Sequence, residues 1–189
     1  MKQRIIDATI SLIQRKGFNF TISDLARQLS ISKRTIYDNF SSKDDIIEEV
    51  ITQLIGKIRT RERQIAEDNQ LNEFQKIKHI LICVPEEFAI MDSNMLVELK
   101  QYHFNQWRTL DTFLKDEWSV VRDLLNKGIE KGIIKNIHPL LFTELYLGAI
   151  NQIYDVSSPL RNLLTMGEIL NSVVDVLLEG IVVPNMDGA

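Results

Sequence analysis

Apolar residues recur along this chain every three to four positions, in segments of very unequal length. Residues 2 to 16 place Ile5, Ala8, Thr9, Leu12 and Ile13 on one face and run into Gly17, which predicts an amphipathic helix stopped by a glycine. Ile22, Leu25, Ala26 and Leu29 repeat the pattern behind Thr21 and Asp24, whose three-residue spacing is that of a capping box. Ser30-Ile31-Ser32 interrupts the stripe, and Ser32 can cap a second short helix that turns Ile36 and Phe40 inward. Ser41 and Ser42 then precede Lys43-Asp44-Asp45, the start of a third helix. Helices this short do not hold themselves together in water, because nucleation is costly. Two of them at a tight angle, braced by residues 2 to 16, make a helix-turn-helix with its second helix offered to the DNA major groove.

Longer helices follow, and the pattern predicts no strand. From Lys43 a stripe of Ile47, Val50, Ile51, Leu54 and Ile58 runs into Arg59-Thr-Arg-Glu-Arg63, read as a solvated helix end. Glu67-Asp68-Asn69-Gln70 is the expected joint between head and body. Leu81, Ile82, Val84, Phe88, Ile90 and Met91 predict a helix apolar nearly all round and kinked at Pro85. Asp92-Ser93 separates it from a helix with Met95, Leu96, Leu99, Tyr102 and Phe104. Another is expected from about Trp107 to Lys131, ending near Gly132. The fold class expected is all-α: a helix-turn-helix domain over 1–47, a connecting helix over 48–70, and a helical body over 71–189.

Charge sharpens this division. Residues 1–47 carry eight basic and five acidic residues, a balance of +3, whereas the remainder carries −7, for a total of −4. A basic head on an acidic body keeps an attractive field only where phosphate must dock. The second short helix exposes Lys33, Arg34, Thr35 and Tyr37, groups that neutralise phosphates, reach base edges or donate to phosphate oxygens. Nothing resembles a signal peptide, and no apolar run approaches the roughly 20 residues of a membrane helix. A single cysteine excludes an internal disulfide, as expected in a reducing cytoplasm.

The segments Gly17-Phe18, Thr21-Ile-Ser-Asp-Leu-Ala, Ile31-Ser-Lys-Arg-Thr-Ile-Tyr-Asp-Asn-Phe and Ser42-Lys43-Asp44-Asp45-Ile46 resemble the TetR (tetracycline-repressor-like) family of bacterial transcriptional regulators. The resemblance covers about the first quarter of the chain. It implies that the helix of Lys33 to Tyr37 reads the operator and that Thr21, Ser32, Thr35, Tyr37 and Lys43 hold the DNA backbone; Lys33 and Arg34 complete the expected DNA-binding set. Ser30 and Arg34 stand where glycine is frequent in the family, Asp38-Asn39 replace a more usual aromatic or histidine pair, and the loop after Gly17 is one residue short. No base preference is therefore carried over.

The resemblance also implies an effector pocket in the body. Aromatic and methionine side chains beside a proline-kinked helix suit an apolar or aromatic ligand, and equally suit an ordinary core. The expected lining is Cys83, Phe88, Met91, Leu99, Tyr102, His103, Trp107, Phe113 and Trp118. His79 and Cys83 share a helix face at a zinc-compatible spacing, but further ligands are wanting, so no metal or cofactor is expected. In the last third, Leu141, Leu145, Gly148, Ala149 and Gln152 form one stripe, and Val173, Leu177 and Ile181 lie on another. Two helices with more apolar surface than one body can cover predict a twofold homodimer through a four-helix bundle. No Glu-x-x-His bundle, phosphate loop or nucleophile motif appears, so the expected function is that of a DNA-binding regulator, most simply a repressor released by its effector, and not an enzyme.

Overall fold

Helix α1 (Lys2–Lys16) buries Ile5, Ile6, Ala8, Ile10, Leu12 and Ile13, and ends at Gly17 with φ +62° and ψ −159°. A side chain there would be doubly opposed: the backbone is left-handed, and a Cβ would overlap the Glu98 carboxylate. The computed structural model describes residues 1–91, 94–116, 118–153, 155, 157–159 and 163–183. After one 3-10 turn at Gly17–Asn19 come α2 (Ile22–Leu29), α3 (Lys33–Tyr37) and α4 (Lys43–Glu67). All three start on the predicted caps: Thr21 with Asp24, Ser32 on Thr35, and Ser42 with Asp45. Ser30 closes α2 in the left-handed conformation at φ +54°, while Ile31 N–H reaches back to the Ala26 carbonyl at 3.0 Å. The α2–α3 joint is thus built without the glycine that usually serves such a position.

The body consists of α5 (Glu73–Leu81), α6 (Glu86–Ala89), α7 (Asn94–Tyr102), α8 (Phe104–Asp116), α9 (Ser119–Glu130), α10 (Pro139–Ile153) and α11 (Met166–Ile181). Ile134 pairs with Val182 in an isolated antiparallel bridge. Helix α4 packs against α1 at its head end and against α5 and α8 farther along; α5 lies on α9, and α10 on α11. No described helix is long and apolar enough to cross a membrane.

Three sequence expectations need correction. Pro85 does not kink a helix: α5 ends at Leu81, Ile82–Val84 form a turn, and Pro85 immediately precedes α6. Proline lacks an N–H and pushes the preceding residue out of helical geometry, so here it ends one element and begins the next. Phe104 belongs to the helix after Tyr102, because the chain breaks at His103. The helix expected from Trp107 to Lys131 is two helices divided at Trp118, whose indole N–H donates to the Leu114 carbonyl at 2.7 Å. Asp92-Ser93, read as a separator, lies outside the described residues.

Candidate nucleic-acid interface and ligand cavity

Helix α3 is only five residues long and is held by what it buries. Ile36 is fully buried and Phe40 nearly so, while Ser32 Oγ accepts the Thr35 N–H at 3.0 Å. That anchoring turns the rest outward: Lys33 and Arg34 are exposed, and Tyr37 is 52% exposed. Thr35 is half-buried, its hydroxyl 2.9 Å from Ser32 Oγ. Thr21 is exposed, but its hydroxyl accepts the Asp24 N–H at 3.1 Å and donates to Asp24 Oδ2 at 2.8 Å. The Thr21 N–H and then Lys16 hold the Asp24 carboxyl far below the usual range, so the box stays charged and closed.

Lys43 has an internal role that its sequence position did not announce. Its ammonium donates to the Phe18 carbonyl and lies 4.3 Å from the centroid of the Phe20 ring. Burial lowers its pKa, with Asp44 acting in the opposite direction. Lys43 therefore ties the start of α4 to the turn after α1, and its remaining donor capacity is what faces solvent.

The same turn is gripped from the body. Glu98 Oε2 accepts the Phe18 N–H at 2.8 Å, and the His103 ring lies 5.6 Å from the Phe18 ring. His103 Nδ1 in turn lies 2.8 Å from Asp44 Oδ1. Gln14 donates to the Glu87 carbonyl at 2.8 Å, and Lys57 pairs with the Glu87 carboxylate. A lone acid within Met95-Leu-Val-Glu-Leu-Lys100 was the one signal that could have marked Glu98.

An apolar cavity of about 140 Å³ opens inside the body. Of the residues expected to line it, Cys83, Phe88, Trp107, Phe113 and Trp118 do so, joined by Leu54 and Ile58 of α4, Met95 and Leu96 of α7, and Tyr146 of α10. Tyr146 donates to the Leu81 carbonyl at 2.8 Å and meets Trp118 edge-on, centroids 5.2 Å apart. Four expected lining residues are elsewhere. Leu99 and Met91 are buried in the core, and Tyr102 faces solvent. His103 belongs to the head–body contact, because the break after Tyr102 turns it towards Phe18. Burial, and after it the charge of Glu62, push the Cys83 thiol up to about 11. It is a protonated, weakly reactive wall of the cavity.

The C-terminal stripes divide by exposure. Leu141, Leu145, Gly148 and Gln152 are exposed and Ala149 is half-buried. On α11 the named residues Val173, Leu177 and Ile181 are half-buried against the core, and Val176 beside them is 73% exposed.

Residues 5–50, which hold α1 to the start of α4, match the family model for bacterial regulatory proteins of the tetR family. Over 181 residues the chain is 46% identical to the helix-turn-helix transcriptional regulator YvaF of Bacillus subtilis, covering 96% of this chain and 95% of that one. The chain belongs to the TetR family of bacterial regulatory proteins. It is a DNA-binding transcriptional regulator, and its relatives are regulators and not enzymes. The fatty acid metabolism regulator protein of Bacillus subtilis is 24% identical over 187 residues, with 94% of each chain covered. The crystal structure of the Bacillus subtilis regulator FadR in complex with stearoyl-CoA shares the fold, with a TM-score of 0.63 at 23% identity, covering 96% of this chain and 100% of that one.

Proposed function

We propose that the protein is a homodimeric repressor that leaves a near-palindromic operator when a small apolar or aromatic effector fills the body cavity. One observation carries this reading: α4 holds Lys43 against the head turn and, three turns on, puts Leu54 and Ile58 into the cavity wall. A helix is stiff along its axis, so a ligand that displaces α4 at the cavity also moves the head. Two heads reach successive major grooves when their recognition helices stand about 34–36 Å apart, and an effector acts through its differential affinity for the arrangements that do and do not meet this spacing. Thr21, Ser32, Lys33, Arg34, Thr35 and Tyr37 face the DNA in this reading, with Lys43 serving the head turn as well. Residues 1–47 act as the head, 48–70 as the lever and 71–189 as the sensor and dimer body.

The cavity is the reason to prefer an effector-responsive regulator to a dimer without a ligand. Phe88→Trp should fill it, so that compounds from a panel of aryl and short-chain acyl molecules that release labelled operator from the parent protein no longer do so. Operator affinity of the free variant should stay within about threefold of the parent. A parent complex indifferent to the entire panel would sink the effector reading.

Helix α7 supplies a second link, since Met95 and Leu96 line the cavity while Glu98 holds the Phe18 N–H. Glu98→Ala should leave that amide without its partner and raise its hydrogen exchange by about tenfold, in line with loss of one charge-assisted hydrogen bond. Glu98→Gln keeps an acceptor oxygen and should restore most of the protection. Equal exchange in parent and Glu98→Ala would show that the contact does not hold the turn.

A further inference from the structure

Gln106, on α8, is 8% exposed, yet among the described residues its side-chain amide has no hydrogen-bond partner. An amide carries two N–H donors and a carbonyl, and folded interiors seldom leave such a group unpaired after it has given up water. Residues on either side of Gln106 reach α4, against which α8 packs. One turn earlier, His103 Nδ1 lies 2.8 Å from Asp44 Oδ1. One turn later, the Thr109 hydroxyl lies 3.4 Å from Glu48 Oε1 and 3.3 Å from the Asn105 carbonyl, both beyond the roughly 2.5–3.0 Å of a good hydroxyl donor. That long contact is the one hydrogen bond of the half-buried Glu48 carboxylate among the described residues. Facing helices thus carry an under-used acceptor, Glu48, and an unused pair of donors, Gln106, offset by about one turn.

The offset has a specific remedy. Residues 106 and 109 are about 4.5 Å apart along the axis of α8. A shift of α4 by part of that distance towards the head, completed by rotation within the Glu48 side chain, brings the carboxylate to the Gln106 amide. The same shift carries Asp44 off His103, because both acids ride on one stiff helix. Two seatings therefore compete. One holds Asp44 on His103 and leaves Gln106 unpaired; the other frees His103 and gives Gln106 a charge-assisted hydrogen bond. A trade between discrete pairings is what lets packed elements switch instead of bending continuously. We propose that α4 has this second seating on α8, with Glu48 accepting from the Gln106 amide, and that Gln106 is the positioning residue that holds the lever there. The proposal rests on the reading of α4 as the lever between cavity and heads, and it names the contact that changes.

Operator affinity of whole-chain variants tests this without any effector. Gln106→Leu and Glu48→Leu each abolish the second seating, so both should shift operator affinity by at least about threefold in the same direction. The double variant should shift it no further than either alone, since all three lack the same single contact. Glu48→Gln drops the charge but keeps an acceptor oxygen, and should stay within about twofold of the parent. His103→Phe keeps a ring against Phe18 but loses the Asp44 contact, so it should shift affinity the opposite way. Gln106→Leu should melt no lower than the parent, because the described seating gives that amide no bond to lose; if this variant does not fold, Gln106→Met makes the same comparison. Oxidation of Glu48→Cys with Gln106→Cys, in a Cys83→Ser background that leaves no other thiol, should close a disulfide. The proposal is overturned if the two single variants add, if Glu48→Gln behaves as Glu48→Leu does, if Gln106→Leu melts several degrees below the parent, or if the disulfide does not close. A disulfide that closes while every variant holds operator as the parent does would uphold the second seating and contradict α4 as the lever.

Discussion

Leu145→Asp should convert the protein to a monomer and lower its operator affinity by about 100-fold or more. Leu145 is 53% exposed and Leu141 58% exposed on a helix that continues through Gly148 and Gln152, also exposed. Within one protomer a carboxylate at such a site meets water, and the fold should change by no more than about 0.5 kcal/mol. Across a twofold axis the same residue occurs twice on one self-complementary patch, so two unpaired charges would be desolvated together. Loss of the dimer also removes the second DNA-reading head, and tethering of two modules typically multiplies affinity by about 10² to 10⁴. Light scattering should report half the parent mass while thermal unfolding of the protomer persists. A dimer that survives both Leu145→Asp and Gly148→Glu would place the interface elsewhere.

The second large effect is expected at α3. Lys33→Ala with Arg34→Ala removes two exposed cations from each head, four from the dimer, and leaves the Ser32 cap and buried Ile36 in place. Affinity for operator should fall by at least about 100-fold at moderate salt. Each lost phosphate contact should flatten the slope of log affinity against log salt by about 0.9, and any lost base contact should cost about 1–3 kcal/mol of discrimination. Circular dichroism should be unchanged, because neither side chain supports the core. Unchanged affinity and salt slope would mean that another surface meets the DNA.

The head was legible because its signals are local. Thr21 with Asp24, Ser32 with Thr35, and Ser42 with Asp45 each close within three residues, so sequence spacing alone determines them. The body was less legible because its helix ends are set by tertiary packing. Apolar spacing runs on through His103 and Trp118, yet the chain breaks at both: His103 meets Phe18 and Asp44 across the head–body boundary, and Trp118 turns against Leu114 and Tyr146. The cavity shows the same limit of pattern reading. Met95 and Leu96 line it, whereas Leu99, one turn along the same helix, is core; all three are apolar residues of one short helix. Nor did anything in the regular stripe of α4 distinguish Leu54 and Ile58 as cavity walls. Lys43 and Glu98 act on a turn 25 and 80 residues away, distances over which a single sequence carries no periodic signal.

A twofold dimer that presents α3 to two successive major grooves should withdraw it when the cavity is filled. Hydroxyl-radical footprinting of the operator, with and without an effector identified by calorimetry, reads both states. Two symmetric protections are expected, their centres about 10–10.5 base pairs, or a small multiple of that, apart, fading together as effector saturates the protein. A single asymmetric protection, or a footprint that persists at saturating effector, would contradict it.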